Sequence, residues 1–179
     1  MSKVTVIGAG NVGATVANVL AHRDIVNEIV LVDIVGDLAR GKALDTWQQA
    51  PIDSYSTKLI GTSDYKDTKN SDIVVITAGI PRKPGMSRDD LISTNANIVT
   101  SVVKSVLEYS KNPIIIVVSN PLDVMTYAAY KAAGIKSSRV FGMAGILDTA
   151  RYRAFIASEL NVSPKDIQAV IHQMEKWIR

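Results

Sequence analysis

The chain has 179 residues, a formal net charge of +3, 47% hydrophobic residues and no cysteine. This length and apolar content suit one domain with a real core; the missing cysteine excludes a disulfide framework and a thiolate metal site, and no metal is expected. No apolar run approaches ~18 residues, the chain opens on a strand pattern rather than a leader, and its basic residues are scattered, so the expectation is a cytoplasmic protein with no membrane and no nucleic-acid partner.

Strand and helix patterns alternate along the chain. A strand over 3–7 enters Gly8-Ala9-Gly10-Asn11-Val12-Gly13 and a helix over 11–22. The next strand, 28–33, ends in Asp33, and a helix over 37–50 and a strand over 58–60 follow. A strand over 72–77 leads through the loop 79–88 into a helix over 88–109. A strand over 113–119 meets Ser119-Asn120-Pro121 and a helix over 121–133, and a strand over 139–143 precedes a helix over 147–160. Runs such as Ile73-Val74-Val75-Ile76 and Ile114-Ile115-Ile116-Val117-Val118 are apolar on both faces, the mark of a parallel sheet covered on either side by helices. Six such strands with right-handed crossovers predict an α/β fold with a doubly wound parallel sheet, whose ligand crevice lies at the strands' carboxyl ends.

G-x-G-x-x-G between a strand and a helix, with an acid about twenty residues on, is the pattern of a dinucleotide site. Gly8 permits the tight turn, Gly10 lets a pyrophosphate approach the backbone, and Gly13 lets helix and strand pack closely. The helix N-terminus offers N–H groups and its positive dipole end to the phosphates. Asp33 can accept from a ribose diol and repels a 2′-phosphate, which favours NAD over NADP. Loop 79–88 brings Arg82, Lys83 and Arg88 to the crevice, where Asn120, Asp148 and Arg151 also follow strands. Planar guanidinium groups bind carboxylates bidentately, so this arrangement suits a small anionic acid.

The motifs GAGNVG, LVDI, ITAGIPRKPGMSRDDL, NANIV, VVSNPLDVMTY and GILDTARYR resemble the malate/lactate dehydrogenase family, on its bacterial malate-specific side, from residue 3 to about 169. The resemblance implies NAD contacts from Gly8, Ala9, Gly10, Asn11, Val12, Gly13, Asp33, Thr77, Ala78, Gly79, Asn95, Val118, Ser119 and Asn120. It implies that Arg82 selects a distal carboxylate, Arg88 polarises the substrate oxygen and Arg151 pairs with the carboxylate beside the reacting carbon. By the same resemblance, Asn120 hydrogen-bonds the substrate oxygen and Asp148 orients a catalytic histidine.

Beyond residue 169 the resemblance stops. The family's strand there ends in Gly-Gly-His-Gly-Asp; counted without gaps, this chain has Gln173, Met174 and Glu175, and His172 stands three places early without the flanking Gly-Asp. The chain is therefore expected to lack the family histidine and the substrate domain. Instead, Ser163-Pro164-Lys165-Asp166 reads as a helix start. Ile167, Val170, Ile171, Met174, Trp177 and Ile178 share one helical face, predicting an amphipathic helix over 164–178. That face is expected to pack on its own domain or on a second copy, the latter making a homo-oligomer. The predicted organisation is a dinucleotide-binding domain over 1–162 and the terminal helix over 163–179. The favoured function is an NAD(H)-binding module with malate or oxaloacetate engaged weakly if at all. The alternatives are an active minimal malate dehydrogenase and a non-binding oligomeric scaffold.

Overall fold

The computed structural model describes residues 2–81 and 84–170. The chain divides into two compact units, Met1–Gly142 and Met143–Arg179. The first holds β1 (Lys3–Ile7), α1 (Asn11–His22), β2 (Glu28–Val32), α2 (Gly36–Trp47), α3 (Ala50–Asp53), β3 (Lys58–Thr62), β4 (Ile73–Ile76), α4 (Arg88–Tyr109), β5 (Ile114–Val117), α5 (Leu122–Ala133) and β6 (Val140–Gly142). Turns of 3-10 helix at Tyr65–Thr68 and Ser137–Arg139 precede β4 and β6.

The six strands form one sheet in the order β3-β2-β1-β4-β5-β6, every neighbouring pair parallel. This is the doubly wound sheet that the alternating patterns predict. The chain winds outward from β1 through β2 to β3, then returns to place β4 on the other side of β1. The segments leaving β1 and β4 therefore diverge, which opens a crevice at the carboxyl ends of these two strands.

Strand side chains alternate between the faces, and the two halves of the core follow that alternation. Val30, Val32, Val74 and Ile76 join Val99, Val103 and Val106 of α4 and Met125 and Ala129 of α5. On the other face Val4, Val6, Ile29, Leu31 and Val75 join Ala17 and Ala21 of α1 and Ala39 of α2. Burying a Val, Leu or Ile side chain contributes roughly 1.5–3 kcal/mol, so the double-sided apolar runs of β1, β2 and β4 anchor the unit. Edge strand β3 alternates exposed and covered residues instead.

Two stretches depart from the sequence expectation. The helix predicted over 37–50 ends at Trp47, and the separate turn α3 follows. Pro51 has no N–H to offer the carbonyl of Trp47, which interrupts the helical ladder at that turn. In the second unit a C-terminal helix is present, α6 (Gly145–Leu160), closed by Asn161 in the left-handed region at φ 52°. The further helix expected from residue 164 is a single 3-10 turn, Pro164–Asp166, after which Ile167 is extended at φ −92°, ψ 124° and residues 167–170 carry no helix. Ser163 makes no side-chain cap there, so the turn lacks a bond that would help repay helix nucleation. Residues 171–179, including Ile171, Met174, Trp177 and Ile178 of the predicted face, lie outside the described residues. Among the described residues no helix is long and apolar enough to cross a membrane.

Candidate functional site

The glycine turn between β1 and α1 is built as its spacing requires. Gly8 has φ +102°, and its N–H donates to the Val32 carbonyl at 2.7 Å, tying the turn to the end of β2. Gly13 lies so close beneath the turn that a Cβ there would stand 1.8 Å from the Gly8 carbonyl oxygen. At Gly10 a Cβ would meet nothing within 4 Å, so the exposed backbone faces open space that any side chain would fill. The first bond of α1 runs from Ala14 N to Gly10 O at 2.9 Å. The N–H groups of Asn11, Val12 and Gly13 thus precede the helical ladder and are aimed out of the helix start. This is a ready anion cradle.

Asp33 follows β2 beside that turn. Its Oδ2 accepts the Ala9 N–H at 2.7 Å and its Oδ1 accepts the Val35 N–H at 2.9 Å. A carboxylate has about four acceptor positions, so two bonds leave capacity for a diol. Tyr65, in the 3-10 turn after β3, was not anticipated as a neighbour. Burial, and then the charge of Asp33, push its hydroxyl above the usual tyrosine range. The only sequence cue was an aromatic residue following the capping Asp64.

The segments after β4 and β5 are locked by side chains bonded to backbone. The Thr77 hydroxyl donates to Ile7 O at 2.9 Å and Gly8 O at 3.2 Å, joining β4 to the glycine turn. Val118 N donates to Ile76 O at 2.9 Å, and the Ser119 hydroxyl donates to Ala78 O at 2.6 Å. Gly79 has φ +156° and lies against Asn95. Asn95, on α4, is only 2% exposed, with its amide engaged by Ile80 and by the Asn120 carbonyl. Asn120 itself is exposed.

Arg88 is the first residue of α4, directly after the N-cap Ser87. Ser87 Oγ accepts the Asp90 N–H at 3.0 Å and Asp90 Oδ2 accepts the Ser87 N–H at 3.2 Å, a reciprocal capping box. The Ser87 hydroxyl also donates to Asp90 Oδ2 at 2.6 Å, and that bond first, then the Ser87 N–H, holds the Asp90 carboxyl below its usual range. Arg82 and Lys83 lie outside the described residues. Asp148 and Arg151 belong to the second unit, in α6, with Arg151 Nη1 and Asp148 Oδ1 3.4 Å apart. Within the first unit the structure therefore gathers Gly8 to Gly13, Asp33, Thr77 to Gly79, Asn95 and Val118 to Asn120 at the carboxyl ends of β1, β2, β4 and β5. Among the described residues no group of three or more His, Cys, Asp or Glu is placed to hold a metal ion.

Comparison with known proteins agrees with this geometry. A family model described as lactate/malate dehydrogenase, NAD binding domain, matches residues 2–142. The malate dehydrogenase of Cytophaga hutchinsonii is 65% identical over 170 residues, 94% of this chain and 54% of that protein. That of Chlorobium limicola is 56% identical over 169 residues, again 94% of this chain and 54% of the relative. Among solved structures, malate dehydrogenase from Salinibacter ruber superposes with a TM-score of 0.88 at 52% identity, covering 94% of this chain and 53% of the other. A minor L-lactate dehydrogenase from Enterococcus mundtii gives 0.89 at 35% identity, covering 95% of this chain and 54% of the other. The chain spans about half the length of the relatives it matches.

Proposed function

The chain belongs to the lactate/malate dehydrogenase family, its first unit being the NAD-binding domain, and from that premise we propose that it holds NAD(H) in preference to NADP(H) and turns over malate or oxaloacetate weakly if at all. The observation that carries the binding half is the cradle at the end of β1. An open backbone face at Gly10, the leading N–H groups of α1 and a carboxylate with acceptor capacity in hand converge within one turn. These groups fit a pyrophosphate and a ribose diol. When bound, NAD supplies the hydride acceptor of the family reaction, malate to oxaloacetate.

In this reading the residues divide the work by chemistry. Asn11, Val12 and Gly13 donate backbone N–H groups to phosphate, and Asp33 accepts from the ribose and repels a 2′-phosphate. The backbone of Thr77, Ala78, Gly79, Val118, Ser119 and Asn120 lines the path toward the nicotinamide. Arg82 and Arg151 clamp the two carboxylates of a dicarboxylate, and Arg88 with the Asn120 amide steadies the oxygen on the reacting carbon. Asp148 is the acid that orients a histidine in the family. The low-turnover half rests on Gln173, Met174 and Glu175, which stand where the family's Gly-Gly-His would fall. General acid–base catalysis by a placed histidine contributes about 10²–10⁴-fold, so its loss leaves hydride transfer without a proton partner.

The test is a titration of the purified chain with NADH and with NADPH, run beside an oxaloacetate reduction assay. NADH is expected to bind more tightly. At about 100 times its Kd it would add ~2.7 kcal/mol of stability, a rise in Tm of roughly 5–11 °C for a chain of this size. Equal affinity for the two cofactors overturns the Asp33 assignment. Turnover comparable with an intact family member overturns the low-activity assignment.

A further inference from the structure

We propose that Asn95 is a positioning residue that ties the loop after β4 to the turn after β5, so that the backbone on the nicotinamide side and the start of the cationic loop are held as one body. The inference deepens the NAD-binding reading and rests on it for its functional consequence. It also gives Asn95 a different job from the direct cofactor contact that family resemblance implies.

The observations are geometric. Asn95 Oδ1 accepts the Ile80 N–H at 2.9 Å, and Nδ2 donates to Ile80 O at 3.2 Å and to Asn120 O at 2.9 Å. An asparagine amide has two donor hydrogens, and two carbonyls take them. The residue is 2% exposed, so it presents almost no surface to a ligand. It lies on the buried face of α4 with Val99, Val102 and Val106, where the helical pattern calls for an apolar side chain. A polar group on such a face costs free energy unless its bonds are made inside the protein. Here they are made to backbone groups of two loops that have no partner in the sheet.

Gly79 completes the arrangement. A Cβ there would stand 3.3 Å from Asn95 Oδ1, closer than ordinary contact, so the glycine lets the loop lie against the amide. The tie also continues an existing line. Thr77 bonds the glycine turn, Ser119 bonds Ala78, and Asn95 bonds Ile80 and Asn120. Polar side chains thus join the segments leaving β1, β4 and β5 across the crevice wall. Asn95 is the outermost link, the one that reaches the loop between β4 and α4.

The experiment is residue-resolved amide hydrogen exchange on the ligand-free full chain, with NADH affinity measured on the same samples. Asn95→Ala removes every bond, so the Ile80 amide is expected to exchange at least about tenfold faster and NADH affinity to fall about tenfold. Asn95→Asp keeps an acceptor for the Ile80 N–H and loses both donors. Its Ile80 amide is expected to stay protected while NADH affinity falls as in the alanine variant. Asn97→Ala, an exposed site on the same helix, is expected to change neither. A direct cofactor contact would instead weaken NADH binding in Asn95→Ala with Ile80 exchange unchanged, which overturns the proposal. Unchanged NADH affinity in Asn95→Asp overturns the coupling even if Asn95→Ala proves too unstable to purify. If the unsubstituted chain binds no NADH, the functional reading and the coupling both fall, while Ile80 exchange still decides whether the tie exists.

Discussion

Asp33→Ser separates two jobs that one carboxylate performs. In the structure Asp33 accepts the Ala9 N–H of the glycine turn at 2.7 Å and the Val35 N–H of its own loop at 2.9 Å. A serine hydroxyl is one atom shorter and cannot replace both. Hydrogen bonds to a charged group contribute about 1.5–3 kcal/mol, but Asp33 is partly exposed and solvent replaces some of that. The expected loss is about 1–2 kcal/mol in all, a fall in Tm of roughly 2–8 °C. The second job is electrostatic. A unit charge about 4 Å from another is worth ~1 kcal/mol in water and ~4 kcal/mol at the effective dielectric of a protein surface. The preference for NADH over NADPH should therefore narrow by about fivefold or more. Asp33→Asn is the control, because it removes the charge at nearly constant size and turns one terminus into a donor facing an N–H. The assay is a pair of titrations, NADH and NADPH, on all three proteins, with Tm measured on each. An unchanged NADH-to-NADPH ratio in both variants refutes the electrostatic argument. An unchanged Tm in Asp33→Ser refutes the claim that the carboxylate orders the turn.

Gly13→Ala places a Cβ where the Gly8 carbonyl oxygen stands 1.8 Å away; backbone cannot yield as a side-chain tip can, so destabilisation at or above the usual overpacking range of ~1–3 kcal/mol is expected in chemical denaturation, with NADH binding lost, and a variant of native stability would contradict the geometry. Asp90 and Asp24 are both held below the usual carboxylate range, Asp90 first by the Ser87 side chain and Asp24 first by the Ser56 N–H. Their contribution is present above the unfolded-state pKa and is lost as pH falls through the lower folded value, so an acid titration of stability should flatten in Asp90→Ala and Asp24→Ala. Tyr65 has the opposite sign: its hydroxyl is raised by burial and then by Asp33, so its contribution is present below the ordinary tyrosine pKa and is lost as pH rises through the folded value. Ultraviolet titration of tyrosinate should show Tyr65 ionising at lower pH in Asp33→Ser than in the unsubstituted chain.

The sheet was legible because burial on two faces leaves a compositional trace. Strands β4 and β5 are unbroken runs of Val and Ile, β1 and β2 carry mostly apolar residues, and the helices between them keep their apolar residues at helical spacing. Boundaries were less legible where one residue's chemistry acts locally. Pro51 separates α2 from α3 by a missing N–H, while the apolar pattern reads across the gap from Leu38 to Ile52. The segment at 164–170 shows the reverse case. Ser163 and Pro164 supply a helix start, and Ile167 and Val170 supply part of a face, yet the described residues make one 3-10 turn. Local signals favour a helix only when something repays nucleation, and that partner is not written in the segment itself.

The site divides along the same line. The glycine turn could be read because every group in it acts through backbone forced by its own neighbours: a positive φ at Gly8, a close contact at Gly13, an open face at Gly10. Asp33 could be placed because the βαβ unit fixes how far an acid lies from the turn. Thr77, Ser119 and Asn95 were legible as members of the site but not in their work. Their partners are carbonyls and N–H groups on segments 40 or more residues away for Ser119, 15 and 25 away for Asn95, and about 70 away for Thr77. The return of the chain to β4 beside β1 brings Thr77 to its partners, and the pairing of β5 with β4 brings Ser119 to Ala78 and the Asn120 carbonyl to Asn95. A polar residue on an apolar helical stripe, as Asn95 is, signals that backbone elsewhere needs a partner; which backbone it serves is a property of topology. The same topology explains why these side chains recur at the carboxyl edge. Strand ends there give up their ladder partners where the chain diverges, and each released carbonyl or N–H in the crevice wall must be met by a side chain before a ligand can be held against it.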